Sequence, residues 1–424
     1  MVLGFSKNRI RVWLAIAFVI LASYGRYRIS ENIADYFIKI EVAVFICAFA
    51  LGRNNNKLIN RFSICYYLFI VYRLCVGYLM YGDIVGEQKR FVYYEFGIAI
   101  IFALVVSVSN YDRILELIRN FGIIISFLAL VEYMSKYNRF VKYLNPKCYF
   151  INTSQMGESS WRVRTIFFHP SIFAMFICVC WGIIIFYPYK DALINNLVKI
   201  LFAISVLASN SRSGWVTFLI INCLILVEKW AKKNNYTTRG TIHVIGALFI
   251  LGTIGGIIKA DSVGNIVDRV LNRWSSSFSS NDISNYNRIT MLNMGLSEWK
   301  KTGIVTKLFG FGPDYAIRLL RANPIRGWNR AVDNTYITIL LNYGAIGLLL
   351  FVIILFGALY VFFKSGNRRV KTAAIMCIAL YSSYFFFDEF SWLTCIILYN
   401  FAVLGFKERT GELIEQSRNS DSEL

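Results

Sequence analysis

The chain has 424 residues, of which 57% are hydrophobic, 17% aromatic and only 17% charged, with a net charge of +20 and a mean hydropathy of +0.52. This composition excludes an ordinary soluble domain or a disordered chain and describes a polytopic membrane protein. The Lys and Arg residues are scattered through short segments between apolar runs, which points to anionic lipid and lipid-linked substrates as partners and away from nucleic acid.

A crossing helix needs about 20 apolar residues. The first run, 12–23, follows Lys7, Arg9 and Arg11 and lacks a small-residue cleavage site, so it reads as a span and not as a signal peptide. Twelve spans are expected, near 11–24, 33–51, 62–80, 91–109, 114–134, 166–187, 197–209, 214–228, 242–258, 335–363, 371–387 and 390–406. Basic clusters at Lys7–Arg11, at Arg53, Lys57 and Arg61, at Lys229, Lys232 and Lys233, and at Lys364, Arg368, Arg369 and Lys371 fall on one side. The positive-inside rule makes that side, with both termini, cytoplasmic. The chain then divides into a nine-span bundle (1–258), a large extracytoplasmic loop (259–334), C-terminal spans (335–406) and a polar tail (407–424) that reads as disordered.

Segment 197–228 could be one long helix or two short ones. One span would move Lys229, Lys232 and Lys233 to the outer side, so two are expected, joined by the turn SNSRSG at 209–214. Helices of 13 and 15 residues would leave that turn recessed in the membrane, with Arg212 at membrane depth and the hydroxyls of Ser209, Ser211 and Ser213 around a helix N-terminus opened by Gly214. That arrangement suits an anion. An arginine that snorkels to headgroups is the plainer alternative.

Two long polar stretches, 135–165 and 259–334, fall on the outer face. The second holds eleven Lys or Arg against six Asp or Glu, with Arg318, Arg321, Arg326 and Arg330 near its end. Guanidinium forks pair with phosphate oxygens, so this field suits a diphosphate; a basic surface facing headgroups would look the same. Gly310, Gly312 and Pro313 in LFGFGPD read as a structural turn. His169 and His243 are the only histidines, and the nine cysteines lie mostly in apolar runs. Neither a metal site nor a disulfide framework is indicated.

Four stretches, RVRTIFFHPSIFAMF (162–176), SNSRSGW (209–215), YNRITMLNMGLSEW with LFGFGPDY (286–315), and DNTYITILLNYGAIG (333–347), resemble the O-antigen ligase and O-antigen polymerase superfamily of bacterial membrane glycosyltransferases. The resemblance covers about the C-terminal two thirds of the chain. It implies an all-α integral membrane transferase of the GT-C type, without metal or other cofactor, at the outer face of the bacterial cytoplasmic membrane. The implied donor is an undecaprenyl diphosphate-linked oligosaccharide, and a chain-length regulator is a possible partner.

Ligases of this group show a histidine followed by Asn, Ser or Gln, nine residues, then Gly-x-x-Gly. Here Asn334, residues 335–343, Gly344 and Gly347 keep that frame, while Asp333 stands at the histidine position. This departure favours a polymerase, with a ligase as the alternative and a lipid-linked oligosaccharide flippase as a more distant one. The absence of an internal repeat in the sequence disfavours the flippase. Carried over by motif, Arg212 and Arg288 bind the diphosphate and Asp333 lies near the acceptor hydroxyl. Arg164, His169, Ser211, Arg326, Arg330 and Asn334 complete the expected substrate-binding set. Asp333 can be read as a general base or as the N-cap of the helix that follows, bonded to the amide near Tyr336.

The charge asymmetry makes a direct prediction about topology. Cysteines introduced at Ser276 and Trp328 should react with an impermeant maleimide from outside intact cells, and one at Lys232 only after permeabilisation; labelling of position 232 from outside would overturn the two-helix reading.

Overall fold

The computed structural model describes residues 60–81, 108–138, 142, 161–167, 169–233, 283–325, 332–386 and 393–406. The spans expected at 11–24, 33–51 and 242–258, most of that at 91–109, and the tail lie outside the described residues. The described helices are α1 Arg61–Tyr81, α2 Val108–Ser135, α3 Pro170–Phe186, α4 Ala192–Ala208, α5 Arg212–Lys233, α6 Ile283–Lys301, α7 Ile304–Phe309, α8 Tyr315–Ala322, α9 Thr335–Lys364, α10 Arg368–Tyr384 and α11 Leu393–Leu404. By length and composition α1, α2, α5 and α9 can each cross a membrane, and α3, α4 and α11 are shorter apolar helices.

The helix starts follow from local chemistry. Asp191 Oδ1 accepts from the amides of Leu193 (2.7 Å) and Ile194 (3.2 Å) to begin α4. Asn367 Oδ1 accepts from Arg369 N at 2.8 Å to begin α10. At α3, Pro170 occupies the first turn and His169 is the cap. The span expected from 166 therefore starts later, because 161–167 runs without helix and Thr165 takes a left-handed φ of 48°.

The 197–228 segment is a helical hairpin, as the charge argument requires. Both arms are longer than expected, since α4 begins at Ala192 and α5 runs to Lys233. Helix α5 begins at Arg212, two residues before Gly214. Gly214 serves packing: a Cβ there would lie 2.3 Å from Ala174 Cβ, so only glycine lets α5 press against α3. Trp215 Nε1 donates to Val206 O at 3.2 Å and ties the two arms together.

Ion pairs hold the basic end of the bundle. Arg369 makes a two-pronged contact to Asp112, both arms at 3.1 Å, and Tyr187 OH donates to the same carboxylate at 2.8 Å, joining α2, the end of α3 and α10. Glu228 of α5 pairs with Lys371 of α10 and, at 2.8 Å, with Lys232. Buried Arg369, Lys371 and Glu228 each have an opposite partner, as burial demands.

The largest departure from a plain span is in α9. At Gly344 the backbone swings to φ 68°, ψ −170°, which interrupts the helix and leaves a half-helix, 335–343, ahead of a longer helix, 345–364. The carbonyls released at the break are satisfied from elsewhere. Leu341 O accepts from Phe311 N (2.8 Å), Asn342 O from Gly312 N (3.0 Å), and Tyr343 O from Tyr72 OH (2.7 Å). Asn342 Oδ1 accepts from Ala316 N at 2.9 Å in the first turn of α8, replacing the missing side-chain cap at Asp314. The LFGFGPD turn is thus the patch over the break in α9.

Among the described residues two hydrophobic cores result. One runs through α1–α5 and α9–α11. The other gathers Met291, Ala316, Leu320, Ile325 and Val332 around Ile337, Leu340 and Leu341 of the half-helix, and belongs to the loop.

The interlock predicts a sharp glycine dependence. At Gly344 an alanine Cβ would lie 2.3 Å from Leu308 O with the backbone still left-handed, whereas Gly303 has nothing within 4 Å. Gly344→Ala should therefore cost roughly 1–3 kcal/mol from the backbone conformation alone, read as a lower unfolding temperature of the purified protein, and Gly303→Ala much less.

Candidate active site at the ends of α2, α3, α5 and α9

The non-helical segment 161–167 is pinned between α2 and the hairpin. Glu132, near the end of α2, accepts backbone hydrogen bonds from Arg164 N (3.4 Å) and Thr165 N (2.8 Å). Asn138 Nδ2 donates to Thr165 O at 2.9 Å, and Val163 N donates to Ala208 O at 3.3 Å. These contacts fix where Arg162 and Arg164 stand. Glu132 is 4% exposed. It is a residue that sequence reasoning passed over, since one acidic residue at the end of an apolar run looks like an interfacial charge.

From this segment a polar chain runs into the SNSRSG turn. His169 Nδ1 accepts from Ser171 N at 3.2 Å, Ser171 Oγ and Ser211 Oγ share a hydrogen bond at 3.1 Å, and Ser211 Oγ and Ser213 Oγ another at 2.9 Å. Ser209 Oγ accepts from Ser211 N at 3.2 Å. The starts of α3 and α5 thus lie side by side, and Arg212 opens α5 next to these hydroxyls, half-buried. Two helix N-termini thus adjoin, with the polarity that favours an anion.

Electrostatics connects this region to the loop and to α9. The charges of Arg162, Arg164 and Arg288 all bear on His169, and together with burial they hold its imidazole neutral, well below its ordinary range. The neutral ring is what the capping bond needs, because Nδ1 must keep its lone pair to accept from Ser171. Arg288, carried on α6 with its guanidinium 5.9 Å from the Phe386 ring centroid, bears also on Asp333. Burial raises the Asp333 carboxyl above its ordinary value, and Arg288 opposes that rise.

The structure corrects one expectation. Asp333 is not the cap of α9: Asn334 is, its Oδ1 accepting from Ile337 N at 3.1 Å. Of the expected residues, Arg164, His169, Arg288 and Asp333 share one field, Ser211 is joined to His169 through Ser171, and Arg212 and Asn334 adjoin them in sequence. Arg326 and Arg330 lie outside the described residues.

A cluster of arginines beside a half-buried carboxyl and adjoining helix starts gives this end of the helical bundle the character of an anion-binding region. Residues 197–352 match the family model described as O-antigen ligase. That match reaches from α4 to the first turns of α9 beyond the break, takes in Arg212, Arg288, Asp333, Gly344 and Gly347, and makes this part of the chain similar to O-antigen ligases. Comparison with curated proteins gave no match.

The raised carboxyl has a thermodynamic consequence. A carboxyl whose folded pKa exceeds its unfolded one contributes stability in its protonated form below the ordinary value of 3.8, and loses it as pH rises through the raised value. Ionised Asp333 is therefore a cost at neutral pH. Since Asn334 does the capping, Asp333→Asn should unfold at a higher temperature than the native chain at pH 7, with the difference shrinking towards pH 4 in a thermal-unfolding series.

Proposed function

We propose that the protein is a polymerase that joins undecaprenyl diphosphate-linked oligosaccharide repeat units into O-antigen, capsular or exopolysaccharide chains at the outer face of the bacterial cytoplasmic membrane. The observation that carries this reading is Asp333: half-buried, released from capping by Asn334, raised by burial and opposed by Arg288. A carboxylate poised above its ordinary range is suited to take a proton from a sugar hydroxyl.

In the proposed step the acceptor hydroxyl oxygen attacks the anomeric carbon of the donor and its proton passes to Asp333. The bond from that carbon to the lipid diphosphate breaks, and its electron pair leaves on the diphosphate oxygen. Arg212 and Arg288 are assigned to the charge that gathers there, where pre-placed donors in a water-poor site are most effective. The amides opening α5 and the hydroxyl of Ser211 add hydrogen-bond donors. Arg164 and Asn334 act on the substrate through position: Arg164 is held by Glu132, and Asn334 fixes the start of the half-helix beside Asp333. Neutral His169, surrounded by arginines, keeps the field positive without adding charge. Metal is given no part in this step.

The ligase alternative shares the donor chemistry and differs in acceptor. Asp333 in place of histidine favours polymerisation.

Polymer length in cells complemented with variants tests the proposal. Asp333→Asn should lower polymerisation roughly 10²-fold or more with normal membrane levels, and full-length polymer from it would remove the base. Arg212→Lys and Arg288→Lys, which keep charge but lose the planar fork, should each cause severe loss. Asp333→His should recover part of the activity that Asp333→Asn loses if proton transfer is the role.

A further inference from the structure

Helix α7 leaves four large apolar side chains in the open: Ile304 is 71% exposed, Val305 63%, Leu308 38% and Phe309 40%. Positions 304, 305, 308 and 309 recur at helical spacing, so they form one face. A loop helix surrounded by water on that face would carry an unsupported apolar patch.

The level of α7 relative to the membrane can be worked out from α9. Residues 345–364 run unbroken from Gly344 to Lys364, which at ~1.5 Å per residue is roughly 30 Å. That is about the thickness of the hydrocarbon core. With Lys364 at the basic boundary beside Arg368 and Arg369, Gly344 falls at the opposite boundary. Helix α7 is anchored at that level, because Leu308 O and Gly310 N lie against Gly344, so close that a Cβ there would meet them at 2.3 and 2.5 Å.

Three further features match that height. Leu349, Ile353, Phe356 and Tyr360 of α9 are exposed along the membrane-crossing part, and Leu349 lies only five residues beyond the break, so α9 too presents apolar side chains close to the level of α7. Lys300 and Lys301 are exposed just ahead of α7, and Lys307 stands half-buried within it; side chains of this kind can lay their stems on apolar surface while their ammonium groups reach phosphates. Trp299 is half-buried, its Nε1 donating to Lys307 O at 3.1 Å, with an aromatic ring and a polar edge suited to the membrane boundary.

We infer that α7 is a membrane-resting elbow: its Ile304, Val305, Leu308 and Phe309 face lies among the acyl chains and headgroups of the leaflet opposite the basic end, with Lys300, Lys301 and Lys307 on the lipid phosphates. The occupant of the face is lipid of the same bilayer. This contact sets the height of the patched break, and with it the height of the half-helix that begins beside Asp333. The inference rests on the membrane placement of α9 and not on the reaction proposed above.

The test is site-specific photocrosslinking in the full-length protein, reconstituted in liposomes of phosphatidylethanolamine and phosphatidylglycerol. p-Benzoylphenylalanine is placed at Val305 and, for comparison, at Asn293, an exposed position of α6 two residues before Gly295, which packs on Ile337 roughly 10 Å along the axis from Gly344. Mass spectrometry of the irradiated protein should find lipid adducts at 305 at least several-fold above those at 293. Equal yields at both positions, or a crosslink from 305 to another protein chain in place of lipid, would overturn the inference.

Discussion

When the hydrogen-bond ladder of α9 gives way at Gly344, the carbonyls of Leu341, Asn342 and Tyr343 need new donors, and each finds one outside its own helix. Buried carbonyls left without donors cost about 1–3 kcal/mol apiece, and Phe311, Gly312 and Tyr72 remove that cost at the break. The reciprocal bond from Ala316 N to Asn342 Oδ1 makes the dependence mutual. The loop cannot leave without exposing the break, and the helix cannot straighten without expelling the loop. Gly310 and Gly344 stand so close that neither tolerates a side chain.

That interlock arranges the candidate site. The nine residues between Asn334 and Gly344 are the length of the half-helix, about 13 Å at ~1.5 Å per residue. It lifts Asp333 away from the apolar boundary and packs Ile337, Leu340 and Leu341 into the small core of the loop, which also carries α6 and therefore Arg288. Arg73 of α1 lies with its guanidinium 5.3 Å from the Tyr343 ring centroid, at the carbonyl end of the half-helix, where a cation opposes the helix dipole. The opposing wall is built differently. There Glu132 fastens the 161–167 strand of chain through backbone amides, and the hydroxyls of Ser171, Ser211 and Ser213 join α3 to α5.

Much of this was legible in the residues. Hydropathy gives the spans, since burial in lipid requires long apolar runs, and the positions of Lys229, Lys232 and Lys233 divide α4 from α5 because charge resists translocation. Arg212 and Asp333 stood out by charge next to apolar segments and by the family frame, and Arg288 by the family frame alone. What escaped the sequence reading has a common cause. A helix break mid-span looks like any glycine in an apolar run, and the cap of α9 could not be divided between the adjacent Asp333 and Asn334, both of which cap well. Glu132 acts on residues some thirty positions away, and no local pattern announces such a partner.

The sequence by itself determined the membrane class, the helical character of the described segments, the hairpin around SNSRSG and the family frame at 333–347, because these follow from local composition, charge and spacing. Tertiary structure decided that LFGFGPD closes the break at Gly344, that Asn334 and not Asp333 caps α9, and that His169, Arg164, Arg288 and Asp333 share one field. Those outcomes rest on hydrogen bonds and charges between residues far apart in the chain, whose free energies exist only once the helices have packed.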